Sequence, residues 1–324
     1  MSRRSSLAAV IVSALCFGTL AVLTPLAYAQ GAEPLPLLAW RFAIAAVFLG
    51  SLALMRDRHA LKVTVGDLAR YSALALAGYG AASVCFFFAL LYAPASVCAV
   101  LLYAYPTLIT IAGWMFLGKK VTWQHGVAVV MAFVGCALVL GIGSSEAASI
   151  KWQGVVLGLG AAVGYSIFSL LSDRWLHGRS SLAMMTYTFA IATVLPTIGA
   201  VATGGIASLS VASWSPTLWG LLAAIVVVPT FAAVTLFLRG IRGLGSAQAA
   251  LVATLEPIFT IVLAMFLLPE QPMMGGLQIV GVTLVLVGVV LSETGASRSD
   301  STEAEADASR SDSTDANASS PHAS

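Results

Sequence analysis

The sequence predicts an all-α integral membrane protein of ten transmembrane helices, arranged as two inverted five-helix repeats. Three observations carry that prediction. Only 9 % of the 324 residues are charged while 59 % are hydrophobic, against about a quarter charged in an ordinary soluble domain. The mean hydropathy is +0.94, and a composition this apolar has too few polar groups to face water. Finally, apolar stretches of spanning length recur, with basic residues gathered in every second connection.

A membrane helix needs about 20 apolar residues, because a rise of about 1.5 Å each must cover about 30 Å of hydrocarbon. The stretches of that length run approximately over residues 7–28, 37–55, 71–91, 95–116, 123–140, 153–176, 182–203, 216–238, 245–268 and 273–291. The tightest joints fall at Ala93-Pro94 and Pro269-Glu270. The first stretch has the outline of a twin-arginine signal, with Arg3-Arg4 ahead of it and Ala27-Tyr28-Ala29 at its end. Its length and its place in the repeat predict an uncleaved span instead.

Lys and Arg are retained on the cytoplasmic side of a membrane. One set of connections carries Arg3, Arg4, Arg56, Arg58, Lys62, Arg70, Lys119, Lys120, Arg174, Arg179, Arg239 and Arg242, and the alternate set carries Lys151 alone. Both termini are therefore expected in the cytoplasm. The Ala-rich, Arg-over-Lys composition points to a bacterial source and so to the bacterial inner membrane. The first repeat is expected over residues 1–145 and the second over 146–294. A disordered cytoplasmic tail is expected at 295–324, where Ser, Ala, Asp and Glu dominate and residues 297–302 recur at 309–314. Such a composition cannot bury enough surface to offset chain entropy.

The repeat is visible residue by residue. Phe42-Ala43-Ile44-Ala45-Ala46-Val47 in the second stretch returns as Phe189-Ala190-Ile191-Ala192-Thr193-Val194 in the seventh. In the same order Phe17 falls opposite Tyr165 and Thr24 opposite Ser172. Aligning Pro106 with Pro257 sets Ser96 against Ala247 and Tyr105 against Glu256. An odd number of spans per copy inverts the second copy relative to the first, the arrangement associated with alternating access to a midplane site.

Ionisable groups deep in a span cost at least about 2.5–3.5 kcal/mol on insertion scales and usually face a cavity. Glu256 is the one carboxylate deep inside a span. Three readings are open for it: a protonation site, an acceptor for a substrate ammonium, or a partner for the carbonyls freed by Pro257. Arg41 lies about one turn inside the second stretch. It is read as snorkelling to the interface, as binding a substrate carboxylate, or as pairing with Glu256. Its counterpart in the second half is Thr188, so the charge is asymmetric. Tyr79, Tyr105 and Tyr165 fall near mid-span, away from the interfaces where aromatic residues gather, and their hydroxyls need partners. Gln248 lies about two turns before Glu256, on roughly the same face.

Pro25, Pro106, Pro196, Pro229 and Pro257 interrupt spans and are expected hinges. Gly154, Gly158, Gly160 and Gly164 form small-residue spacings suited to close helix packing. Catalysis, a metal and a cofactor are not expected. Cys16, Cys85, Cys98 and Cys136 are dispersed in apolar stretches and read as small hydrophobes. His59, His125, His177 and His322 are too scattered for metal ligation or a catalytic triad. No glycine-rich phosphate loop occurs, and a net charge of +2 gives no ground for a nucleic-acid partner.

Together these features resemble the ten-helix EamA-type transporters of the drug/metabolite transporter superfamily, over residues 7–292. The likeness rests on Trp40-Arg41-Phe42-Ala43, on the openings Cys16-Phe17-Gly18 and Gly164-Tyr165-Ser166, and on Leu255-Glu256-Pro257-Ile258 followed by Leu268-Pro269-Glu270. The resemblance implies two bundles enclosing a central cavity, with the fifth and tenth spans peripheral. It implies a secondary transporter of small-molecule metabolites in membrane lipids, an exporter of amino acids or related amphipathic compounds; the protonation reading of Glu256 adds protons as a coupling partner. Nutrient uptake, flipping of a lipid-linked substrate, and a non-transporting receptor are the alternatives. One departure is Gly118-Lys119-Lys120, which stands where the family has a Gly-Glu-Arg-like turn.

Overall fold

In the computed structural model the described residues are 3–57, 61–117, 123–140, 150–175, 180–244, 249, 252–268 and 275–291. The tail, Gln248 and the Gly118-Lys119-Lys120 turn lie outside them. The elements in chain order are α1 (Arg3–Ala29), α2 (Pro34–Asp57) and α3 (Val65–Ala89), then α4 (Ala95–Leu102), α5 (Tyr105–Leu117) and α6 (Trp123–Val139). In the second half come α7 (Trp152–Trp175), α8 (Ser181–Ala192) and α9 (Val194–Gly204), followed by α10 (Pro216–Val226) and α11 (Ala233–Leu244). The last are α12 (Glu256–Leu267) and α13 (Gly276–Leu291).

Among the described residues six helices are long and apolar enough to cross a membrane: Arg3–Ala29, Pro34–Arg56, Val65–Ala89, Trp152–Ser172, Leu182–Gly204 and Pro216–Phe237. Shorter apolar helices, Ala95–Ile109, Gly126–Val139, Glu256–Leu267 and Gly276–Leu291, occupy the other stretches read as spans. The outer surface is apolar, with Val47 and Phe266 being 70 % and 79 % exposed. Lipid, unlike water, carries no penalty for that exposure.

Local chemistry sets the helix ends. Thr64 and Asp67 form a reciprocal capping box at the start of α3. Ser215 Oγ accepts from Leu218 N at 3.1 Å, with Pro216 in the first turn of α10. Gly31, between α1 and α2, has a φ of 86°, a conformation open to glycine at little cost.

The fourth and ninth stretches depart from the continuous helices read in the sequence. α4 stops at Leu102 and α5 restarts at Tyr105, while Thr254 and Leu255 form a turn just before α12. Pro106 and Pro257 stand in the first turn of the restarted helix, where a missing N–H is tolerated. Pro196 takes the same place in α9. Pro229 instead lies in a π-helical turn, Val227–Ala232, that joins α10 to α11, and a second π-helical turn, Leu74–Gly80, interrupts α3. Tyr79 and Thr230 sit in these two turns, at equal distances along the chain from Pro106 and Pro257. Only Pro25 leaves its helix unbroken.

Close helix approaches are made at glycine. On α7, Gly154 faces Ala93, Gly158 faces Leu101 and Gly164 faces Ala82. Between α6 and α13 the contact is reciprocal: a Cβ on Gly135 would lie 2.6 Å from Gly281 O, and one on Gly281 would lie 2.6 Å from Gly135 O. Gln278 closes the same seam, donating from Nε2 to Val139 O at 3.1 Å. Neither backbone has room to yield. Gly281→Leu is therefore expected to cost about 1–3 kcal/mol or more and to lower the thermal unfolding midpoint of the purified protein. An unchanged midpoint would contradict this packing.

α1 is woven into the second half of the chain. Ser13 Oγ donates to Ala233 O of α11 at 2.7 Å, and Thr260 Oγ1 of α12 donates to Gly18 O at 3.2 Å.

Candidate functional site

Proline at 257 has no N–H, so the carbonyl of Ala253 loses the donor a continuous helix would supply. An unserved carbonyl is expensive away from water. The group that serves it comes from the other helix break: Tyr103 Oη lies 2.9 Å from Ala253 O. The same oxygen lies 2.9 Å from Glu256 Oε2. This corrects the reading in which Glu256 itself takes the freed carbonyl; a tyrosine of the first half does so, and Glu256 binds that tyrosine.

A phenol carries one proton, and an ionised carboxylate and a carbonyl both only accept. With Glu256 ionised, the two acceptors compete for the Tyr103 proton. With Glu256 protonated, the carboxyl donates to Tyr103 Oη and the phenol proton goes wholly to Ala253 O. The protonation state of Glu256 thus sets how well the break before α12 is capped.

A file of rings leads away from this pair. Tyr103 meets Tyr105 at 5.9 Å between centroids, Tyr105 meets Tyr165 at 4.7 Å, Tyr165 meets Phe168 at 5.9 Å, and Phe168 meets Tyr79 at 5.4 Å. Separations and tilts of this kind suit the aromatic quadrupole. At the far end Arg41 Nη2 donates to Tyr79 Oη at 3.2 Å. Arg41 Nε donates to Thr230 Oγ1, also at 3.2 Å. Its guanidinium carbon is 5.5 Å from the ring centroids of Phe42 and Phe87.

Arg41 is only 2 % exposed, so its charge stays within the bundle and does not snorkel to an interface. It does not pair with Glu256 either; the ring file stands between them. Among the described residues the one ion pair is Arg70–Asp67, at 3.3 Å.

The structure thus links Arg41, Tyr79, Tyr165, Tyr105 and Glu256, five of the six candidates, through two residues the sequence reading passed over, Phe168 and Tyr103. Thr230 was missed as well. Extending the Pro106–Pro257 register back along the chain sets it opposite Tyr79, a signal the sequence does hold. Tyr79, Tyr105 and Glu256 come from three helices and Tyr165 and Phe168 from a fourth, α7, and all five are half-buried.

Contacts across the site are reciprocal between corresponding positions. Gly18 of α1 packs against the backbone carbonyl of Glu256, to which a Cβ would approach within 3.2 Å. Its counterpart Ser166 of α7 lies 3.1 Å from the backbone carbonyl of Tyr105, sharing its one hydroxyl proton between that carbonyl and Ala162 O at 2.7 Å.

The sequence model of the EamA-like transporter family matches residues 4–141 and again residues 152–294. The chain belongs to the EamA-like transporter family. It is a membrane transporter, not an enzyme, and it carries two copies of the family's repeat. The transporter is 26 % identical over 281 residues to the uncharacterized transporter YcbK of Bacillus subtilis (strain 168), covering 84 % of this chain and 87 % of that protein. It is 24 % identical over 255 residues to the uncharacterized transporter YyaM of the same organism, covering 78 % of this chain and 82 % of that one. A solved crystal structure superposes with a TM-score of 0.63 at 18 % identity, over 92 % of this chain and 99 % of that chain, a likeness of fold.

Proposed function

We propose that this transporter is a secondary carrier that exports small amphipathic metabolites, amino acids or related compounds, by alternating access, with proton movement at Glu256 as the coupling step. The observation that carries the reading is the convergence of half-buried Tyr79, Tyr105, Tyr165 and Glu256 from four helices, with Tyr105 and Glu256 at the two helix breaks. Lipid offers no hydrogen bond to such groups, whereas a hydrated path does. A guanidinium at one end and a carboxyl at the other suit an amphoteric solute, and the ring file suits its apolar part.

Five spans in each half, divided as residues 1–145 and 146–294 and related by inversion, make a protein able to open to either face. The Gly18–Glu256 and Ser166–Tyr105 contacts, made between corresponding positions, support that relation. The basic connections put both termini in the cytoplasm of a bacterial inner membrane. A proton arriving at Glu256 frees the Tyr103 hydroxyl for Ala253 and tightens the join between the two helix breaks. Its departure loosens that join, and the repeats move.

The test of direction and cargo is untargeted metabolite profiling of the medium from cells with and without the protein. Accumulation of amphoteric solutes outside the producing cells is expected. Depletion from the medium instead would reverse the direction, and no difference would contradict export.

A further inference from the structure

We propose that Arg41 and Tyr79 form a binding site for a carboxylate anion at the junction of the two repeats. A guanidinium has five N–H donors in a planar fork, and here the Nε donor goes to Thr230 and one from Nη2 goes to Tyr79. Among the described residues no carboxylate comes within ion-pair distance of Arg41. Burying an uncompensated charge costs several kcal/mol on general grounds, and the rings of Phe42 and Phe87 offset only part of that. The group that completes the balance is an anion.

The two hydroxyls on Arg41 are not equivalent. Thr230 Oγ1 donates its own proton to Ile225 O at 3.0 Å, so it has none left for an anion. Tyr79 Oη accepts from Arg41 and has no acceptor for its proton among the described residues. The unspent phenol proton and the free edge of the guanidinium are therefore held together, and Tyr79 is the half-buried member of the set. An anion reaching Arg41 arrives on the Tyr79 side, where the ring file leads.

A flat carboxylate matches the guanidinium fork with two parallel bonds, and an apolar body behind it rests on Phe168 and Tyr165. Tyr79 and Thr230 occupy the π-helical turns of α3 and of the α10–α11 join, a geometry frequent at functional sites. An anion that draws Arg41 toward Tyr79 weakens its hold on Thr230, so loading acts on the contact between the halves. The site itself is independent of the transport reading; only the anion's status as cargo rests on it.

The probe is benzoate, with benzamide as its neutral isostere and chloride matching the ionic strength, added to the full-length protein in nanodiscs and followed by thermal unfolding. Benzoate is expected to raise the midpoint more than benzamide or chloride does. Arg41→Gln is expected to lower the benzoate affinity by about tenfold or more, and Tyr79→Phe by several-fold, as befits charge-assisted bonds. Equal effects of benzoate and benzamide would overturn the proposal, as would an unaltered affinity in both variants. If Arg41→Gln does not fold, Tyr79→Phe decides, and an undiminished affinity there overturns it. Arg41-dependent benzoate binding by a protein that moves no solute in liposomes would support the site and contradict the transport reading alone.

Discussion

Replacing Glu256 by glutamine is expected to give a folded protein whose solute flux in liposomes no longer responds to pH. The amide has nearly the shape of the carboxyl and still meets Tyr103 Oη, but it takes up no proton in the working range. With glutamine in place the Tyr103 proton has a fixed distribution, and the cap on Ala253 no longer switches. Tyr103→Phe is the complementary change. It strips the partner from Ala253 O and from Glu256 together, and an unserved buried carbonyl alone costs about 1–3 kcal/mol. That variant should unfold at a lower temperature, whereas Glu256→Gln should not. Proton-dependent flux that survives in Glu256→Gln would remove the coupling role.

Arg41→Met is expected to fold about as well as the native protein and to lose flux of anionic and zwitterionic solutes by about tenfold or more, while neutral solutes are carried much as before. Methionine fills the volume of the arginine stem and brings no charge, and replacing buried ionic groups by apolar ones of similar size is often neutral or stabilising. Thr230 keeps its bond to Ile225, and Tyr79, being half-buried, is left where water can reach it. Flux lost equally for charged and neutral solutes would mean that Arg41 serves the packing of the repeats and not the recognition of charge.

Much of this architecture is written in the order of the residues. Long apolar stretches announce helices because a helix satisfies the backbone of a single segment within itself, as lipid demands. The Pro106–Pro257 alignment brought Tyr105 and Glu256 to corresponding places, and the structure finds both at helix breaks. The breaks themselves are not visible to hydropathy: Leu102, Ala104, Thr254 and Leu255 look like any span. Once a helix is divided, the face that each residue presents changes phase. Tyr103, just after α4 ends, reaches across to Ala253 and Glu256. The π-helical turns are equally silent in the sequence, because the extra residue is accommodated by packing, and with them the pairing of Thr230 with Arg41 was hidden. Arg41 itself was readable as functional, but whether it faced lipid or the interior depended on neighbours from α3 and from the α10–α11 join.

Alternating access requires that water reach the ring file from one side of the membrane and then from the other. The direct measurement is thiol labelling of Tyr105→Cys, in a protein whose four native cysteines are replaced, by a membrane-impermeant reagent applied to each face of oriented vesicles. Labelling from both faces, slowed by a transported solute, is the predicted result; a thiol that reacts from neither face, in a protein shown to be folded, would contradict the account.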